Sequence, residues 1–370
     1  MNSPTNAAFD TSVARNGTRS LRLNPSAAVG RIFTKSFSAG SVMVWRFYLR
    51  FAALPTSDTA ISSFQAGAGS GVGFKSADSS LYAFATDSAP SFGASGIPVT
   101  TGIWYRIDVK TITSANPWLI DVQVDGVSCA QLSFSTGAVS GSSIQIGSGG
   151  TSETFDFYVD DLLVSQTSDD YPIGPGYVNH FVPTADGTHN VAGTNDFERT
   201  LTGTDIDNTT TDSYLLVDDI PLESSLNDWI NLTAPLNATD YVENVFGPAP
   251  GINTPTTAPR SVEFLAAYHA AAVQTNNLRV AYRDSNGGTQ DDVLNATVGS
   301  ETILYIRKQY TTIPGGGAWT VTAFNNSRAQ CYSSDANPDP RLDGYMIEAE
   351  WAEVAVAGIP SLVTAPYIPA

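Results

Sequence analysis

Apolar residues recur with a period of two, in short blocks spread along the whole chain, and this alternation limits the fold more than any other feature. Ser41-Val42-Met43-Val44-Trp45-Arg46-Phe47-Tyr48-Leu49-Arg50 is rich in β-branched and aromatic residues, and Trp104 to Lys110 and Trp118 to Val124 alternate apolar with polar. Successive side chains of a strand point to opposite faces, so this period marks strands with one face on a core. Asp125-Gly126 follows the third block, and that pair suits a two-residue hairpin turn. Ile144 to Ile146 and Phe155 to Val164 continue the pattern.

The style is the same further along. Tyr214 to Val217, Tyr241 to Phe246, Leu278 to Tyr282, Thr302 to Ile306 and Tyr345 to Val354 read as strands, and Asp284-Ser285-Asn286-Gly287-Gly288 as a turn. Ser261 to Gln274 is Ala-rich and would suit a helix by propensity. Val262, Phe264, Ala266 and Tyr268 nevertheless alternate with Glu263, Leu265, Ala267 and His269, so a long strand buried on both faces is expected. Tyr171-Pro172-Ile173-Gly174-Pro175-Gly176 cannot serve as a central strand. The expected organisation is all-β, two antiparallel jelly-roll-like β-sandwiches in tandem: residues 1–168, a linker at 169–176, a second sandwich at 177–358 and a tail at 359–370.

Composition agrees. Only 15% of residues are charged, whereas exposed helix faces are normally dressed in Lys, Glu and Arg. The 36 acidic against 18 basic residues give a net charge of −18, which repels phosphate backbones and argues against nucleic acid as a partner. Two cysteines, Cys129 and Cys331, rule out a disulfide scaffold and leave one inter-domain bridge as the only pairing the count allows. Met1-Asn2-Ser3-Pro4-Thr5 has neither a basic nor an apolar leader segment, and no apolar run is long enough to span a bilayer.

Four segments in order resemble the concanavalin A-like, or laminin-G-like, jelly roll: Gly17-Thr18-Arg19-Ser20-Leu21-Arg22-Leu23, Gly102 to Val109, Val122-Gln123-Val124-Asp125-Gly126, and Ile146-Gly147 followed by Phe157-Tyr158-Val159-Asp160-Asp161-Leu162-Leu163-Val164. The second half is similar to a segment joined to such domains in tailed-bacteriophage structural proteins, through Val182 to Thr188, the threonine-rich stretch Thr204 to Thr211, Leu278 to Arg283 and Trp319-Thr320. The resemblance implies a virion component, a minor tail, fibre-associated or capsid-decorating protein assembled in the host cytoplasm. Fold alone does not give function.

Residues that could carry chemistry are few. Glu348, Glu350 and Glu353 have E-x-E-x-x-E spacing, similar to the E-x-D-x-x-E strand of some jelly-roll glycosidases; the middle residue differs and the motif lies near the C-terminus. A solvated face is the expectation there. Asp205, Asp207, Asn208 and Asp212 form an acidic loop, but the frame has Thr210 and Leu216 where an EF-hand needs Gly and Glu. Asp160 and Asp161 resemble rim residues that touch calcium in some laminin-G-like domains; neighbours in a strand face opposite ways, so at most one is expected to face inward. His180, His189 and His269 are too scattered for a metal site. Gly147-Ser148-Gly149-Gly150 and Gly315-Gly316-Gly317 precede no helix and read as loops, not phosphate cradles.

Of six tryptophans, Trp118 follows Asn116-Pro117 and Trp229 follows Asn227-Asp228, which makes these two the candidates for exposed glycan contact. The expected function is non-enzymatic: a structural or adhesion component packing against other virion proteins, self-associated (a trimer is one form), and touching a host-surface glycan. No catalytic residues, metal ligands or cofactor are assigned, with structural calcium the one inorganic partner left open. A pair of carbohydrate-binding modules is the alternative, and a glycosidase acting through the C-terminal carboxylates a third reading.

Overall fold

The computed structural model describes residues 7–17, 19–23, 31–66, 68–86, 90–148, 155–192, 197–199, 204–218, 229–232, 240–248, 254–270, 276–285, 288–299, 301–332 and 340–352; Glu353, Gly149, Gly150 and the expected tail at 359–370 lie outside them. The fold is all-β, with three antiparallel sheets arranged as jelly-roll-like sandwich layers.

In the first half the strands are β1 (Ala7–Asp10), β2 (Ser20–Leu23), β3 (Arg31–Gly40), β4 (Val42–Ala53), β5 (Thr59–Ala66), β6 (Ala68–Lys75), β7 (Ser80–Thr86), β8 (Pro90–Phe92), β9 (Ile97–Pro98), β10 (Trp104–Ile112), β11 (Trp118–Val124), β12 (Val127–Ser128), β13 (Leu132–Phe134), β14 (Gly141–Ser148) and β15 (Asp156–Ser165). One sheet runs β1-β2-β15-β4-β10-β11-β12 with β13 beside β11, the other β3-β14-β5-β6-β7-β8 with β9 beside β7. Met43, Trp45, Phe47, Leu49 and Phe51, every second residue of β4, are fully buried. They share one core with Ile107 and Val109 of β10 and with Ile61, Phe64, Val72 and Phe74 of the facing sheet. Each such side chain contributes roughly 1.5–3 kcal/mol by leaving water. Asp125 and Gly126, at φ 52° and 85°, both adopt the left-handed conformation that a type I′ hairpin turn demands.

The second half comprises β16 (Gly176–Asp186), β17 (Phe197–Arg199), β18 (Ile230–Leu232), β19 (Val242–Pro248), β20 (Ser261–Ala270), β21 (Asn276–Arg283), β22 (Gln290–Val298), β23 (Leu304–Tyr310), the short helix α1 (Val321–Asn325), β24 (Arg328–Tyr332) and β25 (Pro340–Ala352). These strands form a single sheet. β25 pairs with β16 and β18 along one edge and with β20 along the other, and β20 pairs on to β23. The sheet therefore runs β23-β20-β25-β16-β19-β24-β21-β22 and folds over so that its arms face each other. Tyr282 of β21 lies 5.2 Å from Phe264 of β20 and 5.1 Å from Tyr310 of β23, ring to ring across the core. The two end strands are joined by side chains: Lys308 reaches the Asp291 carboxylate at 2.6 Å and the Asp292 carbonyl at 3.0 Å. β20 is a strand, as its alternation predicts, with Val262, Phe264 and Ala266 inward and Leu265 and Ala267 buried on the other face.

One expected strand is not one. Tyr214 to Val217 falls largely in a 3-10 turn, Ser213–Leu216. The Asp186 carboxylate accepts from the Ser213 N–H at 2.9 Å, the Tyr214 N–H at 2.9 Å and the Ser213 hydroxyl at 2.6 Å, gripping the start of the turn as a cap would. Cys129 and Cys331 are buried and free, so no disulfide joins the halves.

The expected linker is packed rather than free. Arg46, fully buried on the outer face of β4, donates to Glu350 at 3.3 Å, to the Gly174 carbonyl at 3.4 Å and to the Asp161 carbonyl at 3.2 Å. Arg260 also donates to Glu350, at 3.4 Å, and to the Ile173 carbonyl at 3.1 Å. Asp108 accepts from the Gly174 N–H at 3.0 Å. A bulge in β15 shapes the rest: pairing with β4 shifts between Asp160 and Leu163, and Asp161 sits at φ 52°. Both aspartates consequently reach the same neighbours, Arg15 and Asn16. Asp160 accepts from the Arg15 N–H at 2.8 Å, and Asp161 from the Arg15 guanidinium at 2.8 Å, the Asn16 amide at 3.1 Å and the Val178 N–H at 2.7 Å. An extra residue breaks the two-residue period, so adjacent side chains no longer alternate.

Candidate functional site

The outer face of the β23–β20–β25 arm carries a continuous stripe of aromatic and planar charged side chains. β20 sends Glu263, Leu265, Ala267 and His269 outward. Register places Glu348 of β25 and Gln309 of β23 beside Glu263, Arg307 and Met346 beside Leu265, and Tyr305 and Gly344 beside Ala267. His180 of β16 lies opposite Glu348. Leu265, Ala267 and Met346 are buried and form a small apolar floor with Ile303. Tyr305 stands on this face at 49% exposure.

The charged groups are tied together. Arg307 lies 3.2 Å from Glu263 and 4.0 Å from Glu348, and His180 lies 3.2 Å from Glu348. Burial alone would lower the His180 pKa; its hydrogen bond to Glu348 and that carboxylate's charge outweigh burial and raise it. Glu350, two residues along the same face of β25, has a different fate. It points into the junction with Arg46 and Arg260, and burial raises its pKa against the pull of both cations.

Trp229 stands at the other end of the stripe. The Arg341 guanidinium lies 4.4 Å from the centroid of its ring, and His269 meets it edge-on at 5.2 Å. A bulge in β25 builds this corner: Ala267 pairs with Gly344 and Tyr268 with Leu342, so Asp343 is the extra residue. Its carboxylate contacts His269 Nδ1 at 2.8 Å, both groups being buried. Arg341 lies 3.5 Å from His269 Nε2, on the other side of the imidazole from Asp343.

The remaining sequence candidates divide clearly. Trp118 is 1% exposed, packs tilted on Phe134 at 6.1 Å and donates its indole N–H to the Gly137 carbonyl at 2.9 Å, which corrects its expected role as an exposed contact. It shares its inward phase with Ile120, Val122 and Val124. Trp229 is half-buried within the stripe. In the acidic loop, Asp207 accepts from the Thr209 N–H at 2.8 Å, Asn208 binds the Val191 backbone and Asp212 pairs with Arg199. Among the described residues, no group of three or more His, Cys, Asp or Glu side chains is placed to hold a metal ion. No described helix is long and apolar enough to cross a membrane. Tyr305 is the site residue that sequence reasoning missed; its signal is an aromatic out of phase with Ile306 and Tyr310, which pack on the core.

No family model matches the chain, and no curated protein matches it. Solved structures similar to it include a sialidase (13% identity, 45% of this chain and 17% of that chain, TM-score 0.35). The receptor-binding domain of botulinum neurotoxin type G is also similar (10% identity, 82% and 75%, TM-score 0.31). So is a tandem of CBM22 domains from Paenibacillus barcinonensis (10% identity, 93% and 90%, TM-score 0.24). The chain thus spans less than a fifth of the sialidase it matches. At these identities the likeness is one of β-sandwich fold alone.

Proposed function

We propose that the chain is a non-enzymatic carbohydrate-binding protein whose contact surface is the outer stripe of the β23–β20–β25 arm. The observation that carries this reading is Tyr305, an aromatic ring half in solvent on a regular sheet, flanked by the Arg307–Glu263–Glu348–His180 ladder. An aromatic face offers apolar area to the C–H face of a sugar ring, and planar charged groups hydrogen-bond hydroxyls with fixed direction. Sites on strands hold that geometry better than sites on loops. Trp229, clamped by Arg341 and His269, extends the surface. The glycosidase reading loses ground because Glu350 is committed to two arginines in the junction.

Glycan-array screening followed by calorimetry tests the proposal. Tyr305→Ala is expected to weaken binding at least tenfold while leaving the melting temperature within about 1 °C, because a half-exposed side chain adds little to stability. Trp229→Phe is expected to weaken it less. A wild-type chain that binds no glycan sinks the proposal. The setting we propose is the surface of a bacteriophage particle, with self-association and packing against other virion proteins; this part rests on the sequence resemblance alone. Stoichiometric co-purification with intact particles is the expected result, and absence from purified particles would remove that setting without touching glycan binding.

A further inference from the structure

Resting on that reading, we infer that the saccharide bound by the stripe is uncharged. Both arginines and the histidine of this face already have partners. Arg307 is shared between Glu263 and Glu348, His180 is bound to Glu348, and Arg341 covers Trp229 beside the His269–Asp343 pair. Arg307 and Arg341 stand on this face against three carboxylates, Glu263, Glu348 and Asp343. The surrounding chain carries −18.

A sugar carboxylate is an acceptor only. It can take an Arg307 N–H only by lying against the Glu263 and Glu348 carboxylates, and it approaches against the field of an acidic protein. A hydroxyl both donates and accepts. Neighbouring hydroxyls of a neutral sugar can take a hydrogen bond from the Arg307 guanidinium and give one to the Glu263 carboxylate 3.2 Å away, with the ion pair intact. The ladder is thus matched to polyol edges and mismatched to anionic ones. Tyr305, beside it, supplies the apolar contact.

The test uses matched probes: N-acetyllactosamine and its sialylated form, and a galactose trimer and its galacturonic acid counterpart, each titrated into the full chain at 50 and 500 mM salt. The neutral member of each pair is expected to bind at least tenfold tighter, and its affinity to change less than twofold with salt. Glu263→Gln, which removes one carboxylate from Arg307, is expected to narrow the gap at least threefold by strengthening the acidic member. Tighter, salt-sensitive binding of the acidic members would overturn the inference and leave glycan binding standing. An unchanged gap in Glu263→Gln would also overturn it. If none of these probes binds, nor any glycan on the array, the proposed function fails and this inference falls with it.

Discussion

The two halves of the chain wall off their cores in different ways. In the first, two separate sheets face each other across a mainly apolar cluster, whose few polar groups include Ser62, which accepts from the Trp45 indole N–H at 3.0 Å. In the second, one sheet folds onto itself, and polar groups are buried on both faces of β19: Asn244 on the side of the aromatic cluster, Glu243 on the side away from it. Glu243, 1% exposed, accepts from Arg328 at 2.9 Å, from Gln330 at 2.8 Å and from the Thr188 N–H at 3.1 Å, with Arg283 at 3.4 Å. His189 accepts from the Glu243 N–H, while Asp186 ties Ser213 and Asn244 together. The first half is thus specified mainly by apolar phase, the second by apolar phase together with buried ion pairs such as those of Glu243.

The largest effect expected from this difference is at Glu243. Glu243→Gln keeps the shape but leaves Arg283 and Arg328 without their counter-charge, and breaking a buried ion pair from one side costs about 3–5 kcal/mol. Urea unfolding should register that loss. Hydrogen exchange should speed up in β19 and β24 and stay unchanged in β4 and β10. A loss below about 1 kcal/mol would mean that packing alone holds the second half.

The junction joins the two designs and gives them a shared pH response. Burial and the neighbouring Asp161 charge push the Asp160 pKa up to about 7. A carboxyl that holds its proton more tightly folded than unfolded opposes folding while ionised, and that penalty is relieved as pH falls through 7. The raised His180 acts in the same direction: its contribution is full below the ordinary histidine value and lost as pH rises through the folded one. Stability is therefore expected to increase from pH 8 to pH 6, by roughly 1 kcal/mol, the full shift being discounted for partial solvent access. Asp160→Asn should flatten the response. A melting temperature that falls over this interval would contradict the assignment.

How much of this was legible in the sequence follows the same division. The phase of Met43 to Phe51 and of Val262 to Ala266 marks the inward faces without any knowledge of partners, because burial on one face writes itself into every second residue. Trp118 was also legible: its phase with Ile120, Val122 and Val124 points inward, and the adjacent Asn116-Pro117 is the misleading signal. Contacts between distant residues leave no such trace. The turn at Ser213–Leu216 depends on Asp186, and the Trp229 corner depends on Arg341. The sheet's order depends on β16 pairing with β25, which lie more than 150 residues apart in sequence, Gly176 opposite Ala352. Tyr305 lies between these cases, since its outward phase can be read but the ladder beside it cannot.

The smallest expected effect lies in the first half, where the reliance on apolar packing can be tested from the opposite direction. Thr111 is fully buried between Met43 and Ile120 on the inward face of its sheet, and its hydroxyl has no hydrogen-bond partner there. A buried, unsatisfied hydroxyl forfeits its hydration and gains nothing in return. Thr111→Val replaces it with a methyl group of nearly the same shape, so the variant is expected to match the wild type or exceed it by up to about 1 kcal/mol. Chemical denaturation resolves the difference. If the variant is less stable by more than about 1 kcal/mol, the hydroxyl is engaged after all, and the first core depends on directed polar contacts as the second does.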